Sequence, residues 1–169
     1  MMHAVSELPL LQSALSEALV ITGQELGNIQ LIDWKTGHLE IVAEQGFTKE
    51  FLDCFRRVTI RDGCACGRAL FNRQPVVLDD VTADPRFLPF RDIAERAGFK
   101  AVQSTPLITH SGALVGILST HGKGVPDEKQ LGLIRSLAMR TAGGIVRDRA
   151  ARTTFADLDG FALRQRLPR

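Results

Sequence analysis

An α+β sandwich, with a mainly antiparallel sheet and helices segregated from it, is the fold class this sequence predicts. Three observations carry the expectation: two pairs of strand-like runs joined by short links, short helical segments between the pairs, and an amphipathic helix at each end. Links this short cannot make a crossover, so each pair is a hairpin. A chain of 169 residues fits one domain and buries enough surface to stand without metal or disulfide staples.

Each element has its own signal. From Val5 to about Leu26, Leu8, Leu11, Leu15, Leu19 and Leu26 recur near one face at helical spacing. Pro9 falls where a first turn tolerates it, and the helix is expected to end near Gly23. Asn28–Asp33 and His38–Ala43 alternate polar and apolar residues around the turn Trp34-Lys35-Thr36-Gly37. That pattern predicts a hairpin with one buried and one wetter face. Gly46 breaks the second strand, and Lys49–Arg57 reads as a short helix with Phe51, Leu52 and Phe55 inward. Another short helix runs from Cys64–Cys66 to Asn72, followed by a short strand, Pro75–Leu78. Asp84-Pro85 and Pro89 punctuate a turn-rich stretch from Asp79 to Phe90.

A helix from about Phe90 to Ala97 then meets Gly98, which suits a left-handed cap. Ala101–Thr109 and Ala113–Thr120 form the second hairpin around His110-Ser111-Gly112, and Pro106 belongs at a bulge or an unpaired position. The last helix, Asp127 to about Arg149, carries a stripe of Leu131, Ile134, Ala138, Thr141 and Ile145. Leu133 and Leu137 widen its apolar surface beyond one side, which favours contact with two partners. Residues 1–152 read as one domain and 153–169 as a C-terminal tail.

Composition narrows the function classes. A formal net charge of +2 is too small to argue for nucleic acid. The basic stretch Arg147, Arg149, Arg152, Arg164, Arg166 and Arg169 is interrupted by Asp148, Asp157 and Asp159, so it reads as a solvated helix face and tail. No apolar run approaches bilayer length, and the N-terminus lacks a signal-peptide pattern, so a soluble cytoplasmic protein without a membrane partner is expected. Cys54, Cys64 and Cys66 are odd in number and confined to one segment, unlike a secreted disulfide framework.

An ordered set of segments carries a family resemblance. They are Gly27-Asn28-Ile29-Gln30-Leu31, Gly46-Phe47, Ala65-Cys66-Gly67-Arg68-Ala69-Leu70, Asp80-Val81 with Asp84-Pro85, Ala97 through Leu107, and Gly116-Ile117-Leu118-Ser119-Thr120-His121. From about Leu15 to Arg149 the chain resembles the GAF domains of bacterial signalling proteins. The resemblance implies a GAF/PAS-like central sheet, mainly antiparallel, flanked by helices on both sides. It also implies a pocket roofed by the short helices and the Asp79–Ala97 segment. Members bind cyclic nucleotides, bilins, haem, amino acids or other metabolites, and some only dimerise. The implied role is a non-enzymatic sensory module binding an unidentified small molecule. Its terminal helices, Leu8–Leu19 and Leu131–Ile145, are the expected homodimer surface, and a histidine kinase is one expected kind of signalling partner.

Within the expected pocket, Gln103 and Thr105 share one strand face, and with Asp80, Phe87, Phe90, Arg91 and Ile93 they form a candidate polar-apolar cup. Solvent or a helical interface is the alternative placement for Gln103 and Thr105. Arg68 is either a carboxylate contact or a salt-bridge partner of Asp80. His121 is the one plausible axial haem ligand, although a strand-end histidine more often has no such role. No cysteine is followed by histidine, as bilin attachment in this family usually requires, and the cyclic-nucleotide branch's asparagine-lysine-phenylalanine-aspartate-glutamate signature is missing. No cofactor follows from the residues.

The glycines of Asp62-Gly63-Cys64-Ala65-Cys66-Gly67 either present backbone N–H groups to an anion or simply allow a tight turn; the turn is preferred. Cys54, Cys64 and Cys66 are redox candidates, Cys64 and Cys66 through the helix dipole. A Cys64–Cys66 bridge would be strained, Cys54 pairing with either is open, and plain packing is the commoner fate of small buried thiols. Three cysteines plus His121 could satisfy zinc only at a spacing that matches no common ligand pair, so no metal is expected. Cys66 and Cys54 also resemble two cysteines of the GAF enzyme free methionine-R-sulfoxide reductase. That enzyme's catalytic third cysteine has no counterpart, because Asp79–Lys100 contains none.

Overall fold

In the computed structural model, which describes residues 7–165 and the side chains of 7–154, all five strands join one antiparallel sheet. They are β1 (Leu26–Asp33), β2 (His38–Gln45), β3 (Val76–Leu78), β4 (Ala101–Ile108) and β5 (Leu114–Gly122), in spatial order β2-β1-β5-β4-β3. The two hairpins meet where β1 pairs with β5, so the platform is continuous. Gly37 and Gly112, the last residues of the hairpin links, have φ of 73° and 89°, the left-handed backbone that glycine adopts without strain. Pro106 pairs across from Ile117, while on its other side β3 stops pairing at Ser104. The proline therefore stands where the missing N–H leaves no neighbour short of a donor.

Helices cover both faces. On one lie α1 (Leu8–Thr22) and α5 (Glu128–Gln165); on the other lie α2 (Lys49–Cys54), α3 (Ala65–Asn72), a 3₁₀ turn (Pro85–Phe90) and α4 (Arg91–Ala97). The expected wetter face of the first hairpin is therefore absent from β1, where Asn28 and Gln30 are as buried as Ile29 and Leu31. Alternation along an inner strand here separates two buried layers. Only the edge strand β2 keeps the partial exposure expected of it.

The sheet takes up most of the α1 and α5 stripes, but Leu8 stays exposed, and Leu26, expected on the first helix, instead opens β1 and packs in the opposite layer. Leu11, Leu15 and Leu19 join Ile134, Leu137, Ala138 and Ile145 over Ile29, Leu31, Leu107 and Leu118. A Cβ on Gly144 would lie 2.8 Å from Leu10 Cδ2, so the glycine sets the close approach of the two helices. Glu7, buried at the start of α1, accepts from Arg149 Nε at 2.9 Å and also from Arg152.

A reciprocal cap starts α5: Gln130 N–H donates to Asp127 Oδ1 and Asp127 N–H to Gln130 Oε1, both at 2.8 Å. The helix does not stop near Arg149 as expected but continues to Gln165. Ala150 and Ala151 are strong helix formers, and no proline or glycine stands between Arg149 and Gly160 to end it. Residues 153–165, read from the sequence as tail, are helical; the side chains of Arg164, Arg166 and Arg169 lie outside the described residues. The same is true of Val5 and Ser6, where the first helix was expected to begin. No helix among the described residues is long and apolar enough to cross a membrane.

Candidate functional site

Because β1, β4 and β5 are inner strands, every second side chain faces the short-helix layer. On β1 those residues are Asn28 and Gln30, on β4 Val102 and Ser104, and on β5 Ser119 and His121. Asn28 lies opposite Ser119, and Ser119 opposite Ser104, which places three polar side chains in a row across the sheet. The two serine hydroxyls are hydrogen-bonded at 2.7 Å. Asn28 Oδ1, both amide atoms of Gln30 and His121 Nδ1 are buried without a hydrogen-bond partner among the described residues. Such groups are rare in folded proteins, and each costs about 1–3 kcal/mol.

Phenylalanines form the roof. Phe51 and Phe55 descend from α2 and its end, Phe87 from the 3₁₀ turn, and Phe99 from the loop before β4, with Cys64, Ala65 and Cys66 at the start of α3. Phe47 stacks on Phe51 with ring centres 3.7 Å apart, and Phe51 lies 4.6 Å from Phe55. The cup expected beneath the short helices is nearly closed as a result. Its volume is about 20 Å³, room for about one water. Larger hollows occur elsewhere. One of about 550 Å³ is a surface groove along the β2 edge, and one of about 420 Å³ lies at the Gly23–Glu25 and Gly122–Val125 loops. Neither contains Asn28 or Gln30, although Gln24, whose Oε1 is also buried without a partner among the described residues, lines the second; His121 borders both the inner cavity and that second hollow.

The expected site residues separate. Cys66, Phe87 and His121 line the cavity. Gln103 and Thr105 do not; they face α5, where Thr105 Oγ1 donates to Gln103 Oε1 at 2.7 Å and Gln103 Nε2 donates to Thr120 Oγ1 at 3.2 Å. The pleat assigns β4 the opposite parity, with Leu107 in the α1–α5 layer and Val102 in the cavity layer. Phe90 packs on Phe55 and Phe87 behind the roof, and Ile93 is buried in the same layer. Arg68 is held by Asp84 at 2.6 Å and not by Asp80, which binds Thr82 and pairs with Lys100 at 3.2 Å. Arg91 Nε is buried without a partner among the described residues, but Arg91 is not in the cavity wall. Among the described residues, the lining thus holds no arginine, lysine or carboxylate.

His121 is enclosed by Phe47, Phe51 and Phe99 at ring-centre distances of 5.0, 5.8 and 4.7 Å. Burial pushes its pKa down to about 3, so the imidazole is neutral at ordinary pH. Cys64 Sγ lies 3.5 Å from Cys66 Sγ, both buried, whereas Cys54 is exposed. The Cys66 thiol, acting as donor, lowers the pKa of Cys64; the same bond, and then burial, raises Cys66. Gly63 and Gly67 serve close packing. A Cβ on Gly63 would lie 2.1 Å from the Arg86 carbonyl oxygen, and one on Gly67 would lie 2.6 Å from that of Thr59. Neither glycine has positive φ, so the tight turn expected of them is in fact close backbone approach. No group of three or more His, Cys, Asp or Glu among the described residues could hold a metal ion.

Asn28, Gln30, Ser104 and Ser119 were not among the expected site residues. Their signal was available: polar residues at alternate positions on strands that both hairpins place inside the sheet.

Comparison with known proteins places the fold. A GAF domain of a phosphoenolpyruvate-protein phosphotransferase from Coxiella burnetii superposes with a TM-score of 0.74 at 18% identity, covering 89% of each chain. The GAF domain/HD domain protein from Geobacter sulfurreducens gives 0.72 at 13% identity, covering 85% of this chain and 94% of that one. The blue-light absorbing form of the PixJ GAF domain from Thermosynechococcus elongatus gives 0.69 at 13% identity, covering 94% and 98%. At these identities the likeness speaks for the fold. No curated protein matches the chain. The GAF domain family model matches residues 5–146. The chain therefore belongs to the GAF domain family, whose members are sensory and regulatory modules of signalling proteins.

Proposed function

We propose that this domain is a non-enzymatic sensor whose ligand is a small, uncharged, polar molecule bound between the sheet and the phenylalanine roof. The observation that carries the reading is the set of orphaned polar atoms on Asn28, Gln30 and His121, all bordering one cavity. A floor of amides and hydroxyls supplies donors and acceptors, while the lining offers no counter-charge to a carboxylate or phosphate. Because the present volume is about 20 Å³, a metabolite enters only if the roof moves. Phe51, Phe55 and Phe87 sit on short helices and a 3₁₀ turn, the elements with least regular structure to break.

A regulatory role is supported by the lack of a cysteine in Asp79–Lys100, the stretch that supplies the nucleophile in the related sulfoxide reductase. Native mass spectrometry of freshly purified protein tests the ligand directly. A retained mass that disappears in Gln30→Met supports the reading. A bare protein that also shows no thermal shift across a panel of neutral polar metabolites contradicts it, since ligand at about a hundred times its dissociation constant adds about 2.7 kcal/mol.

The output side of the proposal is a cytoplasmic homodimer acting on a signalling partner such as a histidine kinase. Its support is apolar surface that the fold leaves exposed on the terminal helices, Val20 on α1 and Met139 and Val146 on α5. Met139 and Val146 are seven residues apart and share one helix face.

A further inference from the structure

Beyond ligand binding, we propose that Cys64 and Cys66 form a reversible dithiol–disulfide pair oxidised by hydrogen peroxide. The sulfurs are already 3.5 Å apart, and a disulfide needs them at about 2.05 Å, so a modest side-chain movement closes the bond. Cys64 is the N-cap of α3, with extended backbone (φ −66°, ψ 161°), and Cys66 stands in the first turn. Only one residue separates them, so closure draws together the entry and the first turn of one helix. Both cysteines line the same cavity as His121, and that cavity admits a water-sized molecule.

The chemistry balances in two steps. The Cys64 thiolate attacks one peroxide oxygen, the O–O bond breaks, and Cys64 becomes a sulfenic acid as hydroxide leaves. The Cys66 sulfur, losing its proton, then displaces the sulfenic hydroxyl, which leaves as water once the S–S bond forms. In sum, two thiols and one hydrogen peroxide give one disulfide and two waters. External thiol reverses the bond by exchange, and the strain of a bridge spanning a single residue keeps it reducible. Roles follow from environment. Cys64 is the more acidic thiol because Cys66 donates to it and it begins a helix, and Cys66, raised by the same bond and by deeper burial, is the resolving thiol. Cys54 is exposed and carries a raised pKa through its own partial burial and the Cys64 charge, so it is the poorer nucleophile.

The sequence makes the test direct. Trypsin cleaves after Arg61 and Arg68 and releases Asp62–Arg68, which contains Cys64 and Cys66 and no other cysteine; Cys54 falls in Glu50–Arg56. The full chain is exposed to stoichiometric hydrogen peroxide, alkylated, digested and weighed. The expected result is an Asp62–Arg68 peptide lighter by two hydrogens and unalkylated, with Cys54 still labelled, and the same result in Cys54→Ser. Cys66→Ser should leave a sulfenic acid on Cys64 that dimedone traps. In Cys64→Ser, Cys66 should react at least about tenfold more slowly. An Asp62–Arg68 peptide that keeps both labels, or a cross-link between it and Glu50–Arg56, overturns the assignment. These readouts need no ligand, so they fail or succeed separately from the sensor reading.

Discussion

At the scale of single residues, this domain tolerates groups that cost stability. Gln30 is 1% exposed, and neither its amide oxygen nor its nitrogen finds a partner among the described residues. An apolar side chain of similar length removes that penalty, so Gln30→Met is expected to stabilise the protein by about 1 kcal/mol in urea unfolding. His121 adds a pH signature. Its folded-state pKa of about 3 lies below the ordinary 6.5, so the unfolded chain takes up a proton that the folded chain refuses. Stability is complete above about pH 6.5 and falls as pH drops toward 3, by about 2 kcal/mol at about pH 5. His121→Phe should flatten the curve across that window. Asp53, Asp80 and Asp84, whose pKa values lie below 3.8 in the folded state, add their own loss only at lower pH. A wild-type curve that is flat between pH 7 and 4.5 would show that the imidazole is not enclosed as described.

At the scale of elements, strand contact rests on one small residue. A Cβ on Gly116 would lie 2.2 Å from the Gln30 carbonyl oxygen, across the β1–β5 join, whereas one on Gly124 meets nothing within 4 Å. Gly116→Ala is expected to cost about 2–3 kcal/mol, and Gly124→Ala to stay within about 0.5 kcal/mol; equal effects would mean the hairpins do not meet there. Most element positions were legible because their signals are local: Gly23 and Gly98 at helix ends, Pro126-Asp127-Glu128 at a helix start, short glycine links in both hairpins. Two features were not. The parity of β4, which puts Ser104 rather than Thr105 over the cavity, depends on which layer each face meets, and alternation alone cannot supply that. The length of α5 was missed because a helix without a stop signal continues however polar it becomes.

At the scale of the whole molecule, α1 and α5 brace one face of the platform, so Val20, Met139 and Val146 are apolar surface the fold itself does not need. Light scattering should give a dimer mass for the wild type and a monomer mass for Met139→Glu with Val146→Glu; a wild-type monomer would remove the proposed output surface. The fold family was legible because an ordered set of short segments survives along most of the chain. The closed cavity was not, since nothing in the spacing of Phe51, Phe55, Phe87 and Phe99 reveals that their rings meet over one floor.

The central claim is that buried polar groups are kept at a cost to stability because they hold a ligand. Thermal unfolding of wild type and Gln30→Met, each with a panel of uncharged polar metabolites, tests it most directly. The variant is expected to melt higher alone and to respond to no compound, while at least one compound raises the wild type. A variant that melts lower, together with a wild type indifferent to every compound, would contradict it.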